Sequence, residues 1–200
     1  MKRKNGVLVS PGRGGVYGER MMGKFRVWDP KRSKFAALAE FEPSVDLSKD
    51  MDVLYLGAAN GTTVSHIADY VNVVYAVEFA PRPMQDLLEV ARKRENIVPI
   101  MADARRPATY APLLTKVDML FQDVAQPDQV AIALRNSVFL KEGGDLILVI
   151  KARSVNVAKD PKLVFAEAEE ELKAGGMVVD KMVGIGKYHM DHAVLLCRKV

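Results

Sequence analysis

Cysteine is nearly absent. The 200-residue chain has one, Cys197, so neither an internal disulfide nor a multi-cysteine zinc site can form. Set in the run Ala193-Val194-Leu195-Leu196-Cys197, it reads as a small buried hydrophobe. Histidine is scarce too, with three in the chain, and His66 and His189 have no motif around them. No metal site is expected. No apolar run approaches the roughly 18 residues of a membrane span, and no apolar signal core follows the basic start. These absences lead us to expect a cytoplasmic protein with no membrane partner. Internal repeats and low-complexity segments are also lacking.

What is present suits one globular domain with a small appendage: 49% of residues are apolar and 27% charged. The formal charge of +4 hides an asymmetry. Through Lys34 the chain has 10 basic residues against 2 acidic ones, leaving 19 basic and 23 acidic for the rest. A basic leading segment on an acidic body suits contact with a polyanion on one side, or a solvated arm. Short β-like pieces at Val7-Leu8-Val9, Gly15-Val16-Tyr17 and Phe25-Arg26-Val27-Trp28, with turns at Pro11-Gly12 and Asp29-Pro30, predict a small antiparallel appendage over 1–32. The main domain is expected over 33–200, opening with a short helix capped by Ser33. Lys34 in that helix's first turn opposes the helix dipole, a mismatch of about 0.3–1 kcal/mol.

The stretch Val53-Leu54-Tyr55-Leu56-Gly57-Ala58-Ala59-Asn60-Gly61-Thr62-Thr63 reads as a buried strand, a tight glycine turn and a helix start. Such a turn brings bare backbone and free N–H groups against a ligand. The glycines are spaced G-x-x-x-G, not the G-x-G-x-x-G of pyrophosphate binding, and no phosphate-binding cation flanks them. A nucleoside without phosphate, such as S-adenosylmethionine, fits this loop better than a dinucleotide.

Further strands are predicted at Val73-Val77, Ile97-Met101, Val117-Phe121 and Leu146-Ile150, alternating with helices, one of them running through about Leu140 to a turn at Gly143-Gly144. A last long helix opens at Asp160-Pro161 and stops at Gly175-Gly176, before two final strands. This alternation implies a doubly wound parallel sheet whose ligands sit beyond the carboxyl strand ends. At those ends stand Gly57, Glu78, Asp103, Asp123 and Lys151. Glu78, about 20 residues past the first glycine, can accept the ribose hydroxyls of a nucleoside. Asp103 can accept an exocyclic amine, and Phe79 offers a stacking surface. Lys151 follows five aliphatic residues, within reach of Asp123, and Asp191-His192 adds a titratable group that could return to the same mouth.

Leu54-Tyr55-Leu56-Gly57-Ala58-Ala59-Asn60-Gly61-Thr62-Thr63, Tyr75-Ala76-Val77-Glu78-Phe79, Asp103-Ala104-Arg105, Gln122-Asp123-Val124-Ala125-Gln126-Pro127 and Ile150-Lys151-Ala152-Arg153-Ser154 together resemble fibrillarin, the guide-directed RNA 2′-O-methyltransferase, from about Val27 onward. With no Gly/Arg-rich tail, the chain is similar to the archaeal type. The resemblance implies a Rossmann-like class I methyltransferase fold with a seven-stranded, mostly parallel sheet. It implies S-adenosylmethionine-dependent methylation of pre-rRNA, with tRNA a further substrate, in a box C/D ribonucleoprotein. The partners it implies are a guide RNA, a target RNA, a Nop-domain scaffold protein and a kink-turn-binding ribosomal-type protein. Cofactor contacts carried over are Gly57, Thr62, Thr63, Glu78, Phe79, Asp103, Ala104 and Asp123, Val124, Ala125 and Gln126. The catalytic set carried over is Lys34, Asp123, Lys151 and, where the family group has a glutamate, His192. A stand-alone methyltransferase and a cofactor-binding subunit without turnover are the competing readings.

Overall fold

The computed structural model describes residues 1–200. Strands β1 (Lys2–Lys4), β2 (Val7–Ser10), β3 (Met21–Met22) and β4 (Phe25–Val27) form an antiparallel sheet in the order β1-β2-β4-β3. Asn5 and Gly6, with φ of 50° and 76°, make the two-residue hairpin turn between β1 and β2. The Gly15-Val16-Tyr17 piece expected as a strand is a loop instead. Its Val16 and Tyr17 N–H groups donate to the Glu19 carboxylate at 3.1 and 3.0 Å, so no strand partner takes them.

Helix α1 (Lys34–Phe41) follows, and Ser33 caps it as expected by accepting from the Ala36 N–H. The chain then alternates: β5 (Asp52–Leu56), α2 (Thr62–Ile67), β6 (Val73–Glu78), α3 (Pro81–Ala91), β7 (Ile97–Met101), β8 (Val117–Gln122), α4 (Gln129–Asn136), β9 (Leu140–Lys151), α5 (Ala152–Val155), α6 (Pro161–Ala174), β10 (Met177–Gly184) and β11 (His192–Lys199). The seven-stranded sheet has the order β10-β11-β9-β8-β5-β6-β7, parallel from β7 through β9, with β11 and β10 antiparallel. The helix expected to run to about Leu140 stops at Asn136. Gly143 and Gly144 do not turn the chain but lie inside β9, where the pairing with β8 slips between Val117 and Met119 as a bulge.

Strand residues alternate between two apolar layers. Val53 and Tyr55 face Phe35 and Leu38 of α1, Val64 of α2 and Leu87 of α3. Leu54 and Leu56 face Ile132 of α4 and Val164, Ala168 and Leu172 of α6. Burial of both faces explains why these strands read as unbroken apolar runs.

The N-terminal segment shares the first of these cores through Leu8 of β2, Val16 of the loop and Trp28 just beyond β4. Trp28 is stacked 5.3 Å from Phe35 of α1 and 5.0 Å from His66 of α2. Beside it, Arg26 is fully buried and binds Glu19 at 2.6 Å and Asp69 at 2.7 Å, while Arg94 reaches the other Asp69 oxygen at 2.7 Å. Gly12 passes so close that a Cβ there would stand 1.9 Å from the Asp69 carboxylate. Burial pushes the Glu19 carboxyl up, but the backbone N–H groups and the Arg26 guanidinium outweigh it and bring the pKa down to about 2.

A carboxylate with a depressed folded pKa contributes stability above its unfolded pKa and loses it as pH falls through the folded one. Acid titration should therefore remove about 3 kcal/mol of this network's contribution between roughly pH 4.5 and 2. Arg26→Met, which strands the buried Glu19 carboxylate and leaves Asp69 with Arg94 alone as its cation, should cost about 3–5 kcal/mol at pH 7, as read by urea denaturation.

A candidate active site at the carboxyl edge of the sheet

The parallel strands end at one rim, and the first turn beyond β5 organises it. Gly57 has φ of +77°, and a Cβ on it would lie 2.9 Å from the Asp123 carbonyl. The Gly57 and Ala58 N–H groups both donate to the Val77 carbonyl at 3.0 Å, and Asp123 N–H donates to Leu56 O at 2.9 Å. The ends of β5, β6 and β8 are thereby stitched together. Glu78 is buried, its carboxylate accepting from Ala59 N–H and Ala80 N–H, each at 2.8 Å. Those bonds aim the carboxylate at the loop and leave lone pairs for a ligand's hydroxyls.

A cavity of about 370 Å³ opens there, lined by Gly57, Glu78, Phe79, Ala104, Asp123 and Gln126 among others. Phe79 is 58% exposed, an unpacked ring at the mouth. The donor set fits S-adenosylmethionine: an acid for ribose, an aromatic face for adenine, and carboxylates for a sulfonium charge. Volume and lining match a small-molecule site.

Of the residues expected to bind cofactor, Gly57, Glu78, Phe79, Asp103, Ala104 and Asp123 through Gln126 surround this cavity. Thr62 and Thr63 are not in its lining. Thr62 donates to Asn60 Oδ1, and Thr63 donates to Ser33 Oγ at 3.0 Å, linking α2 to the cap of α1. Asp103 is gripped by the Arg105 side chain at 2.7 Å and its backbone N–H at 2.9 Å, which hold its carboxyl below the ordinary range.

The residues expected to act in catalysis meet at Asp123. Lys34 Nζ lies 3.0 Å from Oδ2 and Lys151 Nζ 2.8 Å from Oδ1. Lys151 also donates to the Asp123 main-chain carbonyl at 2.9 Å. The approach to Oδ1 is a charge contact, with the aligned hydrogen bond going to that carbonyl. His192 is the cross-strand register partner of Lys151.

Three residues contribute to the site in ways not read from the sequence. Gln129, at the start of α4, brackets Lys151 by accepting from its N–H at 2.9 Å and donating to its carbonyl at 3.3 Å. Ser33 joins the Trp28 indole, the α1 cap and Thr63. His189 stands 5.9 Å, ring centre to ring centre, from His192 and donates through Nε2 to Pro30 O at 2.9 Å. Ser33 was legible as the cap of α1, but its link to Thr63, like the Gln129 bracket on Lys151, joins residues distant in sequence and leaves no local signal.

His192 Nδ1 faces the Met190 carbonyl at 2.6 Å, so Nδ1 carries the proton and Nε2 keeps its lone pair. Burial lowers the His192 pKa; the Met190 carbonyl opposes that, and the Lys34 and Lys151 charges lower it further. His189 is lowered likewise by burial and then by Lys34.

The sheet order, the acid-lined nucleoside cavity and the adjoining lysine–aspartate–lysine group define a Rossmann-like class I methyltransferase fold. The family model for fibrillarin matches residues 7–200, so the similarity extends through most of the N-terminal sheet and not merely from Val27. The chain belongs to the fibrillarin family. The fibrillarin-like rRNA/tRNA 2′-O-methyltransferase of Methanoculleus marisnigri is 61% identical over 199 residues, covering 100% of this chain and 99% of that protein. A chain in the crystal structure of a fibrillarin/Nop5p complex superposes with a TM-score of 0.92 at 39% identity, over 97% of this chain and 94% of that one. Aeropyrum pernix fibrillarin with natively bound S-adenosyl-L-methionine gives 0.84 at 40% identity, over 96% and 88%.

Because the folded pKa of His192 is lowered, the neutral ring is the native form, and stability is lost as pH falls below the ordinary histidine value. An imidazole NMR titration should show His192 protonating below pH 6.5, and Lys34→Met should move that midpoint upward.

Proposed function

We propose that the chain catalyses 2′-O-methylation of ribose in pre-rRNA, and in tRNA, as the catalytic subunit of a box C/D ribonucleoprotein. The observation that carries the reading is Asp123 bridging Lys34 and Lys151 beside the nucleoside cavity. The naming of its relatives as rRNA/tRNA 2′-O-methyltransferases supports the substrate class. A Nop-domain protein is the scaffold partner, supported by the relative found with Nop5p. A guide RNA and a kink-turn-binding ribosomal-type protein complete the particle in this reading. The guide selects the nucleotide, so the protein need hold only ribose and backbone.

When bound, S-adenosylmethionine supplies a methyl group made electrophilic by its sulfonium. Gly57, Glu78, Phe79 and Ala104 hold the nucleoside, and Asp123 adds negative charge at the junction of the two sites. Lys151, fixed by Asp123 and Gln129, steers or accepts the proton of the 2′-hydroxyl. Lys34 holds the target nucleotide. His192, neutral at Nε2, supports the lysine or the ribose from the adjoining strand.

The test mixes the protein with labelled S-adenosylmethionine, guide RNA, target RNA and the two partner proteins, omitting each in turn. Methyl transfer should require every component, and turnover without guide would assign a stand-alone enzyme. Lys151→Ala should lower kcat by about 10²–10⁴-fold while cofactor affinity changes little. Full activity in that variant would remove Lys151 from the mechanism.

A further inference from the structure

Six of the cations before Lys34 are gathered on one surface by the fold: Lys2, Lys4, Arg20, Lys24, Lys31 and Arg32. On the N-terminal sheet, Lys2 and Lys4 of β1 and Lys24 of the β3–β4 turn surround the Phe25 ring, with ammonium groups 4.3, 5.8 and 5.9 Å from its centre. Next to them is a cavity of about 520 Å³, bounded by Val7, Val27, Tyr17, Arg20, Lys31 and Arg32. Val7 is the register partner of Lys4, so lysine cluster and cavity share a sheet face. The Arg32 guanidinium sits 4.8 Å from the Tyr17 ring centre. Of the acids in this segment, Glu19 is buried against Arg26, and Asp29 accepts the Lys31 N–H. Asp29, on the cavity wall, is then the one carboxylate here without a cation partner, and the six cations leave the surface net positive.

Cations interleaved with aromatic rings suit a nucleic-acid strand, whose phosphates take the charges and whose unstacked bases take the rings. A protein-docking face would centre on exposed apolar side chains, whereas Val7 and Phe25 are half-buried and Val27 is buried. The surface also leads to the reaction site. Pro30 on the cavity wall accepts from His189, which neighbours His192, and Lys31-Arg32 run directly into Ser33 and Lys34.

We infer that this face of the N-terminal sheet is a track for the target-RNA backbone, delivering the strand to the Lys34–Asp123–Lys151 group. The inference rests on the RNA-methyltransferase reading above and adds where the substrate is held.

The test compares wild type with the Arg20→Ala/Lys24→Ala/Lys31→Ala variant in the particle assembled with guide RNA and both partner proteins. All three side chains are exposed, and unchanged S-adenosylmethionine affinity would verify the variant's fold. The expected result is a KM for target RNA raised about tenfold or more at near-constant kcat, the sign of lost uniform binding. The slope of log affinity against log salt should fall by about 2, at roughly 0.7–0.9 per lost cation. Wild-type transfer with an unchanged variant KM and salt slope overturns the track alone. A variant that crosslinks target RNA normally but no longer joins the scaffold protein on gel filtration also overturns it, assigning the face to a protein. No transfer by the assembled wild type sinks the track together with the function it rests on.

Discussion

One carboxylate holds two cations, and the working end of the molecule is built around that fact. Lys34 and Lys151 come from a helix and a strand far apart in sequence, and without Asp123 between them their charges would repel. A unit-charge pair at 4 Å is worth about 4 kcal/mol at an effective dielectric of 20, before desolvation. Two such attractions outweigh the one repulsion between the lysines. Asp123 is itself fixed by its N–H bond to Leu56 O and by the absence of a side chain on Gly57. The glycine that shapes the cavity therefore also admits the backbone that presents the carboxylate.

The same balance resolves the lysine at the start of α1. Its conflict with the helix dipole is about 0.3–1 kcal/mol, smaller than the attraction of a partly buried ion pair at 3.0 Å. Placing Lys34 depends in turn on where α1 begins, which Ser33, Trp28 and Thr63 settle together. Trp28 lies between Phe35 and His66, in the layer braced by Arg26. The N-terminal sheet thus acts on the site mechanically, by setting the start of a helix.

How much was legible in the sequence follows the range of the interactions. Alternating apolar runs, the glycine turn, the Asp160 helix start and Glu78 are local signals, and each appears where its pattern pointed. Gly15-Val16-Tyr17 misled because β-favouring residues were captured by a carboxylate, a tertiary override of propensity. Strand β1 was missed even though Asn5-Gly6 is a strong hairpin signal, because its basic residues hid it. Arg26 could not be read as buried, since its partner Asp69 lies 43 residues away. Thr63 looked like a ligand group because it follows the glycine turn, but its hydroxyl is spent on Ser33. His189 joined the mouth only through a carbonyl 159 residues distant.

The rim divides by charge, and that division assigns directions. From Asp123 toward β6 and β7 stand Glu78, whose carboxylate has no cation partner, and Asp103, paired with Arg105, so that the acid of Glu78 is the charge offered to a cationic cofactor. From Asp123 the other way stand Lys34, Lys151 and then Arg32 and Lys31, a basic approach suited to a polyanion. A cationic donor and an anionic acceptor would each be repelled from the other's approach, so both can be bound at once without competing. Asp123 sits on the boundary, and only an acid there serves both neighbours: it adds to the charge of Glu78 on one side and anchors the lysines on the other. A neutral side chain of the same shape would keep the cavity but erase the boundary.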